Sequence, residues 1–424
     1  MHSIKIFIVF IFFFTTSCFI GPVKELGYQI EDAYEDDSIN ISSPEPLKDI
    51  QNHHSFSFKW DTNISKLKSS HLKPFVHQNN LFIINSDGQL FLFDLVSGKL
   101  IWEIDTDSPP IAGLNGDEES FFFVDNTGYL NSFSHAGKIN WKTFVGEVLA
   151  SPISDMSNVY IKTTSNMFIA LNVIDGSIKW KYQAPSPPLV IRSWAEPIIE
   201  SNNIYAGISS GKVMSLNKNQ GLLVWEATFS EPKGVSEIER ANDTTSSPVY
   251  DEKIIYTVSS KGHIAALSAL NGEIYWKRPF SSYEGIVADK KTLFSIHNSG
   301  SIYSFNKNDG KVLWSNFELK GRDLKALMLN DSLIFVTDYE GYLHILDSAT
   351  GDILSRKRLT EGPIIFAKKT PNEKNNLIFL SKSGDLISLN FIYDGKVNLK
   401  KSSNEDKNIT DDKGTLLDNL FFWE

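Results

Sequence analysis

The side chains that enzymes most often use for catalysis are few or poorly spaced in this sequence. Residues 207–211 match G-x-S-x-G, the turn that presents a nucleophilic serine. That turn needs a helix after it, whereas the residues that follow Gly211 alternate as in a strand. The nine histidines lack the spacing of metal ligands, and a single cysteine cannot form a disulfide within the chain. The sequence therefore predicts no catalytic residue, no metal and no cofactor.

The one cysteine, Cys18, stands where a different chemistry is expected. Residues 6–14 form an apolar run behind Lys5, and the small residues 15–17 lead directly to Cys18. This pattern is typical of a secretory signal, and it is too short to span a membrane. It resembles the lipobox of bacterial lipoproteins, with Thr15 where Leu is usual, which implies a signal peptide over residues 1–17 and lipidation of Cys18. A plain secretory signal with a chance cysteine is the alternative.

The charge of the chain limits which partners it can bind. The chain has 41 Lys+Arg against 51 Asp+Glu, a net charge of -10, which argues against nucleic acid as a partner. Acidic residues concentrate between positions 25 and 49. We therefore predict that residues 18–54 combine the lipidated cysteine with a solvated, flexible tether.

The rest of the chain repeats. Seven times, a glycine-punctuated segment is followed by a Trp or its replacement four residues after the second turn glycine. Six units carry the Trp, and the seventh has Ser355 in its place. The six tryptophans, expected to pack between neighbouring sheets, are Trp102, Trp141, Trp180, Trp225, Trp276 and Trp314.

Each repeat is predicted to be a small antiparallel sheet. Apolar runs before the first glycine and alternating segments after it are typical of strands bounded by turns. Repeats of this length and type predict an all-β fold, an eight-bladed β-propeller of four-stranded antiparallel blades, over residues 55–400. The eighth blade is incomplete, and either residues 56–60 or residues 395–400 supply its fourth strand. Residues 401–424 form a C-terminal tail, which either folds back onto the propeller or binds a partner.

These Gly-x-x-x-Trp repeats resemble those of quinoprotein-type propellers, and the sequence is most similar to the BamB family. The similarity rests on single-propeller length, the cysteine, and the segments 188–192, 237–245 and 338–344. It implies a non-enzymatic scaffold lipoprotein of the outer-membrane β-barrel assembly complex, lipid-anchored at the periplasmic face of the outer membrane. The implied partners are the POTRA domains of a BamA-type barrel subunit. Exposed strand edges are further expected to pair with unfolded outer-membrane protein precursors.

The spacing of the repeats places a candidate docking site independently. The two longest distances from a Trp to the next first turn glycine, 31 and 37 residues, follow Trp180 and Trp225. Adjacent connections of this kind emerge on one face of a propeller and form a continuous surface. The resemblance then implies six partner-binding residues within them, and the alternative for each is an ordinary solvated loop residue. They are Leu189, Ile191, Arg192, Glu237, Arg240 and Asp243.

Two other functions fit a propeller of this type. One is a periplasmic dehydrogenase that binds pyrroloquinoline quinone, and the other is an envelope propeller for another ligand. The dehydrogenases that the repeats resemble often carry a disulfide between adjacent cysteines, which this chain cannot form, and they are longer. The sequence therefore favours the scaffold.

Overall fold

The computed structural model describes residues 44–65, 67, 72–371, 373 and 375–392. In this part of the chain, 32 strands form eight four-stranded antiparallel sheets, and one helix, α1 (Glu237–Arg240), lies between two of them. The predicted all-β, eight-bladed propeller is confirmed. The predicted signal peptide, Cys18 and the tail 401–424 lie outside the described residues.

Each blade runs from an inner strand to an outer strand, and blades 1 to 7 follow chain order. The innermost strands of blades 1 to 8, which contact one another around the centre, are β2 (Phe75–His77), β6 (Pro110–Gly116), β10 (Ile153–Ser154), β14 (Ile198–Glu200), β18 (Val249–Asp251), β22 (Ile286–Ala288), β26 (Lys325–Asn330) and β30 (Ile364–Lys369). The second strands are β3 (Asn80–Ile84), β7 (Ser120–Asp125), β11 (Asn158–Lys162), β15 (Asn203–Ile208), β19 (Ile254–Val258), β23 (Thr292–Ile296), β27 (Leu333–Thr337) and β31 (Asn376–Ser381). The third strands are β4 (Gln89–Asp94), β8 (Tyr129–Ser134), β12 (Met167–Asn172), β16 (Lys212–Asn217), β20 (His263–Ser268), β24 (Ile302–Asn306), β28 (Tyr342–Asp347) and β32 (Asp385–Ile392). The outer strands are β5 (Leu100–Asp105), β9 (Ile139–Phe144), β13 (Ile178–Gln183), β17 (Leu223–Thr228), β21 (Ile274–Pro279), β25 (Val312–Asn316), β29 (Ile353–Arg358) and β1 (Ser55–Asn63).

The hydrophobic pattern of each strand follows its place in the blade. The second strands are covered on both sides by neighbouring blades, so β7 reads Ser-Phe-Phe-Phe-Val-Asp and is buried throughout. The outer strands face solvent on one side, and β5 alternates between exposed and half-buried residues. Eight hydrophobic clusters fill the seams, each drawn mainly from two neighbouring blades. The core of this protein is therefore a ring of eight seams.

The repeated tryptophans lie in these seams. The Trp225 indole donates a hydrogen bond to the carbonyl oxygen of Ala269 in the next blade, at 3.0 Å, and its ring covers Gly272. Trp141, Trp180, Trp276 and Trp314 make the equivalent bond, at 2.8–3.0 Å. Trp102 stacks on Phe121 of the next blade, 6.5 Å between ring centroids. Each Trp thus joins its own blade to the next one.

The first and last described strands close the ring together. β1 pairs with β32 in antiparallel register from Ser55 opposite Ile392 to Asn63 opposite Asp385, so it is the outer strand of blade 8. Its Trp60 completes the series, because the indole donates to the Leu95 carbonyl oxygen of blade 1 at 3.2 Å and covers Gly98. The alternative fourth strand, residues 395–400, lies outside the described part of the chain.

The N-terminal residues 44–54, which we call the strap, fill the one seam that lacks a Trp. The amides of His53 and His54 both donate to the Ser355 hydroxyl, at 3.0 and 2.9 Å. The His54 ring is 5% exposed and packs edge-on against Phe391 of blade 8, with 4.9 Å between ring centroids. The strap therefore contributes a ring to the seam between blades 7 and 8, next to the position of the missing Trp.

The remainder of the strap is bound along the outer side of blade 7. Arg356 donates to the carbonyl oxygen of Lys48 at 2.8 Å, and Arg322 donates to that of Glu45 at 3.2 Å. The Glu45 amide donates in turn to the Lys320 carbonyl oxygen at 3.0 Å. Residues 44–54, assigned from the sequence to the flexible tether, thus lie against the propeller, and the rest of the predicted tether lies outside the described residues.

Candidate docking site

The turn between the second and third strands of each blade lies on the same face as the linker to the next blade. The Phe229 amide donates to the Gly211 carbonyl oxygen at 3.1 Å, and the Leu359 amide donates to that of Gly341 at 2.9 Å. We call this side of the propeller the loop face. It carries the two long linkers, residues 184–197 between blades 3 and 4 and residues 229–248 between blades 4 and 5.

A buried carboxylate joins these two linkers. Asp243 accepts a hydrogen bond from the Ile191 amide at 2.5 Å and another from the Ser210 amide at 2.9 Å. Burial raises the pKa of Asp243, while these two amides and the positive charge of Lys162 oppose that rise. With 3% of its surface exposed, Asp243 bonds its own chain. Asp243 therefore joins the two linkers, and the contact with a partner that the resemblance implied for it stays a prediction.

The residues before and after Ile191 are presented to solvent. Leu189 is 40% exposed, and Ile191 is half-buried. The Arg192 side chain is 63% exposed and forms an ion pair with Glu147, which is itself exposed. An exposed pair of this kind contributes little to stability, so its members remain available to a partner. Leu189, Ile191 and Arg192 therefore form one mixed apolar and basic surface on the first linker.

The second linker presents helix α1. Its first turn is fixed by a capping box, in which Ser236 accepts from the Glu239 amide at 3.2 Å and the Glu239 carboxylate accepts from the Ser236 amide at 3.1 Å. Glu239 is thereby used within its own helix. Arg240 is exposed in the last turn, and the side chain of Glu237 is not among those that the structure describes.

Sequence reasoning missed two apolar residues at this helix. Val235 and Ile238 are among the most exposed large hydrophobic residues of the described chain. Exposed apolar residues beside charged ones are typical of contact surfaces. The signal in the sequence was the pair of apolar residues within a charged linker. We call Leu189, Ile191, Arg192, Val235, Ile238 and Arg240 together the linker surface.

The first linker also reaches the centre of the ring, where a cavity of about 580 Å³ opens. Trp194 and Arg192 line this cavity, together with Lys73 and Lys325. Both lysines are paired with acids, since Lys73 lies 2.8 Å from Glu196, and Lys325 lies within ion-pair distance of Glu284. The ion pair of Lys73 joins the start of blade 1 to the linker before blade 4, beside this cavity.

The described residues do not form a serine-nucleophile turn, a metal site or a membrane-spanning helix. Ser209 of the G-x-S-x-G match is buried, accepts a hydrogen bond from Asn166 at 2.9 Å, and is followed by strand β16. Among the residues that the structure describes, no group of three or more His, Cys, Asp or Glu side chains is placed to bind a metal ion. No helix in this described part is long and apolar enough to cross a membrane.

Comparisons with known proteins give a consistent result. A family model described as outer membrane protein assembly factor BamB matches residues 87–316 and 298–398. Outer membrane protein assembly factor BamB of Nitrosomonas eutropha is 30% identical over 350 residues, which cover 82% of this chain and 84% of that protein. The crystal structure of BamB from Moraxella catarrhalis has a TM-score of 0.72 at 20% identity, covering 79% of this chain and 100% of that one. Quinohemoprotein alcohol dehydrogenase from Comamonas testosteroni shares the fold at 11% identity, with a TM-score of 0.65 and coverage of 93% and 86%.

Proposed function

The chain belongs to the family of outer membrane protein assembly factor BamB, and we propose that it acts there as a non-enzymatic scaffold that docks through its linker surface. The relatives are named as assembly factors, and the family model covers most of the propeller. The observation that carries the docking site is the pairing of the two long linkers through Asp243. It holds the exposed Leu189 and Arg192 in a fixed place on the loop face.

We infer that the partner is the set of periplasmic POTRA domains of a BamA-type barrel subunit. Apolar side chains beside an arginine form the kind of surface that supplies most of the energy in protein interfaces. Arg192 is suited to a carboxylate on the partner, because its guanidinium can exchange the exposed Glu147 for a better-shielded acid.

The described part of the strap begins on the same side, which supports an anchor that precedes it in the chain. Its residue Glu45 contacts Lys320 in the linker between blades 6 and 7, which is on the loop face. We propose that Cys18 is lipidated and holds the propeller at the periplasmic face of the outer membrane. Residues 19–43 lie outside the described part of the chain, and the sequence predicts a tether there. A flexible coil of 25 residues spans roughly 25–30 Å. Such a tether keeps the linker surface at high effective concentration near a membrane-embedded partner. Loss of the protein from the membrane fraction on Cys18→Ala tests the anchor.

The docking proposal is tested by reversing one charge. Arg192→Glu should weaken binding to purified POTRA domains at least about 30-fold, since breaking a contact of a charged interface residue costs about 2 kcal/mol or more. Isothermal titration of the mature chain measures this. Lys311→Glu is the matched control, because Lys311 also forms an exposed ion pair, with Asp309, but follows the turn at Gly310 on the opposite face.

Equal affinity of the wild type and Arg192→Glu would remove Arg192 from the site. A parallel titration with pyrroloquinoline quinone and calcium tests the dehydrogenase alternative, which saturable binding of the quinone would favour. Pairing of unfolded precursors with exposed outer strands stays a prediction, which cross-linking of precursors to Ile139 of β9 tests.

A further inference from the structure

A buried lysine lies behind the linker surface. Lys162 is the last residue of β11 in blade 3 and is 7% exposed. Its ammonium group donates a hydrogen bond to the carbonyl oxygen of Gly207 in blade 4, at 2.6 Å. A single backbone carbonyl is a poor replacement for water around a charged amine. Burial lowers the pKa of Lys162 to about 8, and the charge of Asp243 partly opposes this fall.

Lys162 and Asp243 face the same small cavity. It has a volume of about 20 Å³, which is room for one bridging water molecule, and is also lined by Asn166, Ile191 and Ser209. The two opposite charges attract each other across this narrow space. Since Asp243 holds the Ile191 amide, the charge of Lys162 in blade 3 acts across this cavity on the residue that positions the linker surface.

We propose that Lys162 is a positioning residue of the docking site, whose buried positive charge faces the Asp243 carboxylate across this cavity and thereby holds Ile191 and Arg192 in place. An ionised carboxylate accepts hydrogen bonds on both oxygens, which the Ile191 and Ser210 amides require. Without the lysine, the buried carboxyl group gains a proton more readily, and one oxygen becomes a donor that opposes an amide. The docking part of this inference rests on the proposed function, whereas the placement of the linker does not.

The first test is hydrogen exchange at the Ile191 amide in Lys162→Met. This variant keeps the length of the side chain and removes its charge. The Ile191 and Ser210 amides should exchange about tenfold faster, as expected when a hydrogen bond to a charged group is weakened. Lys218→Met is the matched control, because Lys218 joins the same two blades through Asp155, at 3.0 Å, away from the linkers. Equal exchange at Ile191 in the two variants would overturn the proposal.

A double variant separates positioning from a general loss of packing. Asp243→Asn leaves a single acceptor oxygen for two amides, so Ile191 or Ser210 should exchange faster in that variant. Adding Lys162→Met to it should accelerate this exchange no further, because no carboxylate is left for the lysine to act on. If Lys162→Met does not fold, folding of the double variant supports the coupling, and failure of the double variant overturns it. Exchange rates that simply multiply across the two substitutions would also overturn it.

Titration with purified POTRA domains connects this result to docking. Lys162→Met should weaken binding about tenfold, and Lys218→Met should leave it unchanged. Faster exchange at Ile191 with unchanged affinity would overturn the role of Lys162 in docking. If the wild type itself does not bind, the proposed function fails, while the exchange experiment still decides whether Lys162 positions the linker.

Discussion

Replacing a glycine beneath a seam tryptophan should cost far more than replacing one in open space. Gly272 has a φ of +74°, and a Cβ atom there would lie 2.6 Å from Cε3 of Trp225. Gly146 has a similar φ of +90°, but a Cβ atom there would meet nothing within 4 Å. The two positions share the cost of a left-handed backbone, and only Gly272 adds a collision.

The expected difference in stability follows from the backbone conformation and from the collision with the Trp ring. A left-handed conformation costs a non-glycine residue about 1–2 kcal/mol, and overpacking costs about 1–3 kcal/mol. Gly272→Ala should therefore lower the free energy of unfolding by about 2–5 kcal/mol, and Gly146→Ala by about 1–2 kcal/mol. Urea unfolding of both variants, followed by tryptophan fluorescence, measures the difference. Equal losses at the two positions would refute the conclusion that the Trp rings pack directly on these glycines.

Two further predictions concern the strap and acid stability. His54→Ala, which removes the ring against Phe391 and keeps the backbone bonds to Ser355, should destabilise the protein by about 2–3 kcal/mol in urea unfolding; a loss below about 0.5 kcal/mol would show that the ring does not support the seam. Burial raises the pKa of Asp125, but hydrogen bonds, chiefly from Lys142, outweigh it and bring that pKa down to about 2. Because its pKa is lower in the folded state, Asp125 stabilises the fold above about pH 4. That contribution to the free energy of unfolding, about 2 kcal/mol, is lost as the pH falls through 2. Urea unfolding at a series of pH values measures it, and this part of the pH dependence should be absent in Asp125→Asn.

The blades could be predicted because their signals are local. A glycine and a Trp four residues apart specify a turn and the strand after it, and the repetition of this pair predicts the ring. Blade 8 was harder, because its outer strand comes from the other end of the chain. The register of β1 on β32 depends on pairing across more than 300 residues, and the sequence offered residues 395–400, directly after β32, as an alternative.

The contacts that organise the docking site could not be predicted from the sequence. The resemblance to the family implied a contact with a partner for Asp243, and its polar linker gave no sign that the side chain is buried. Its burial depends on the Ile191 amide, 52 residues away in the chain. The strap was predicted to be solvated because acidic residues concentrate between positions 25 and 49. Residues 44–54, however, bind where blade 7 has Ser355 in place of the Trp. This small side chain leaves room in the seam for the His54 ring and accepts a hydrogen bond from the His54 amide.

Site-specific photo-cross-linking in cells tests the central claim most directly. A photoreactive residue at position 189 lies on the linker surface, where Leu189 is 40% exposed. The control, position 313, lies on outer strand β25, where Leu313 is 53% exposed. Docking through the linker surface predicts a cross-link to the barrel subunit from position 189 and none from position 313. A cross-link from position 313 with none from position 189 would contradict it.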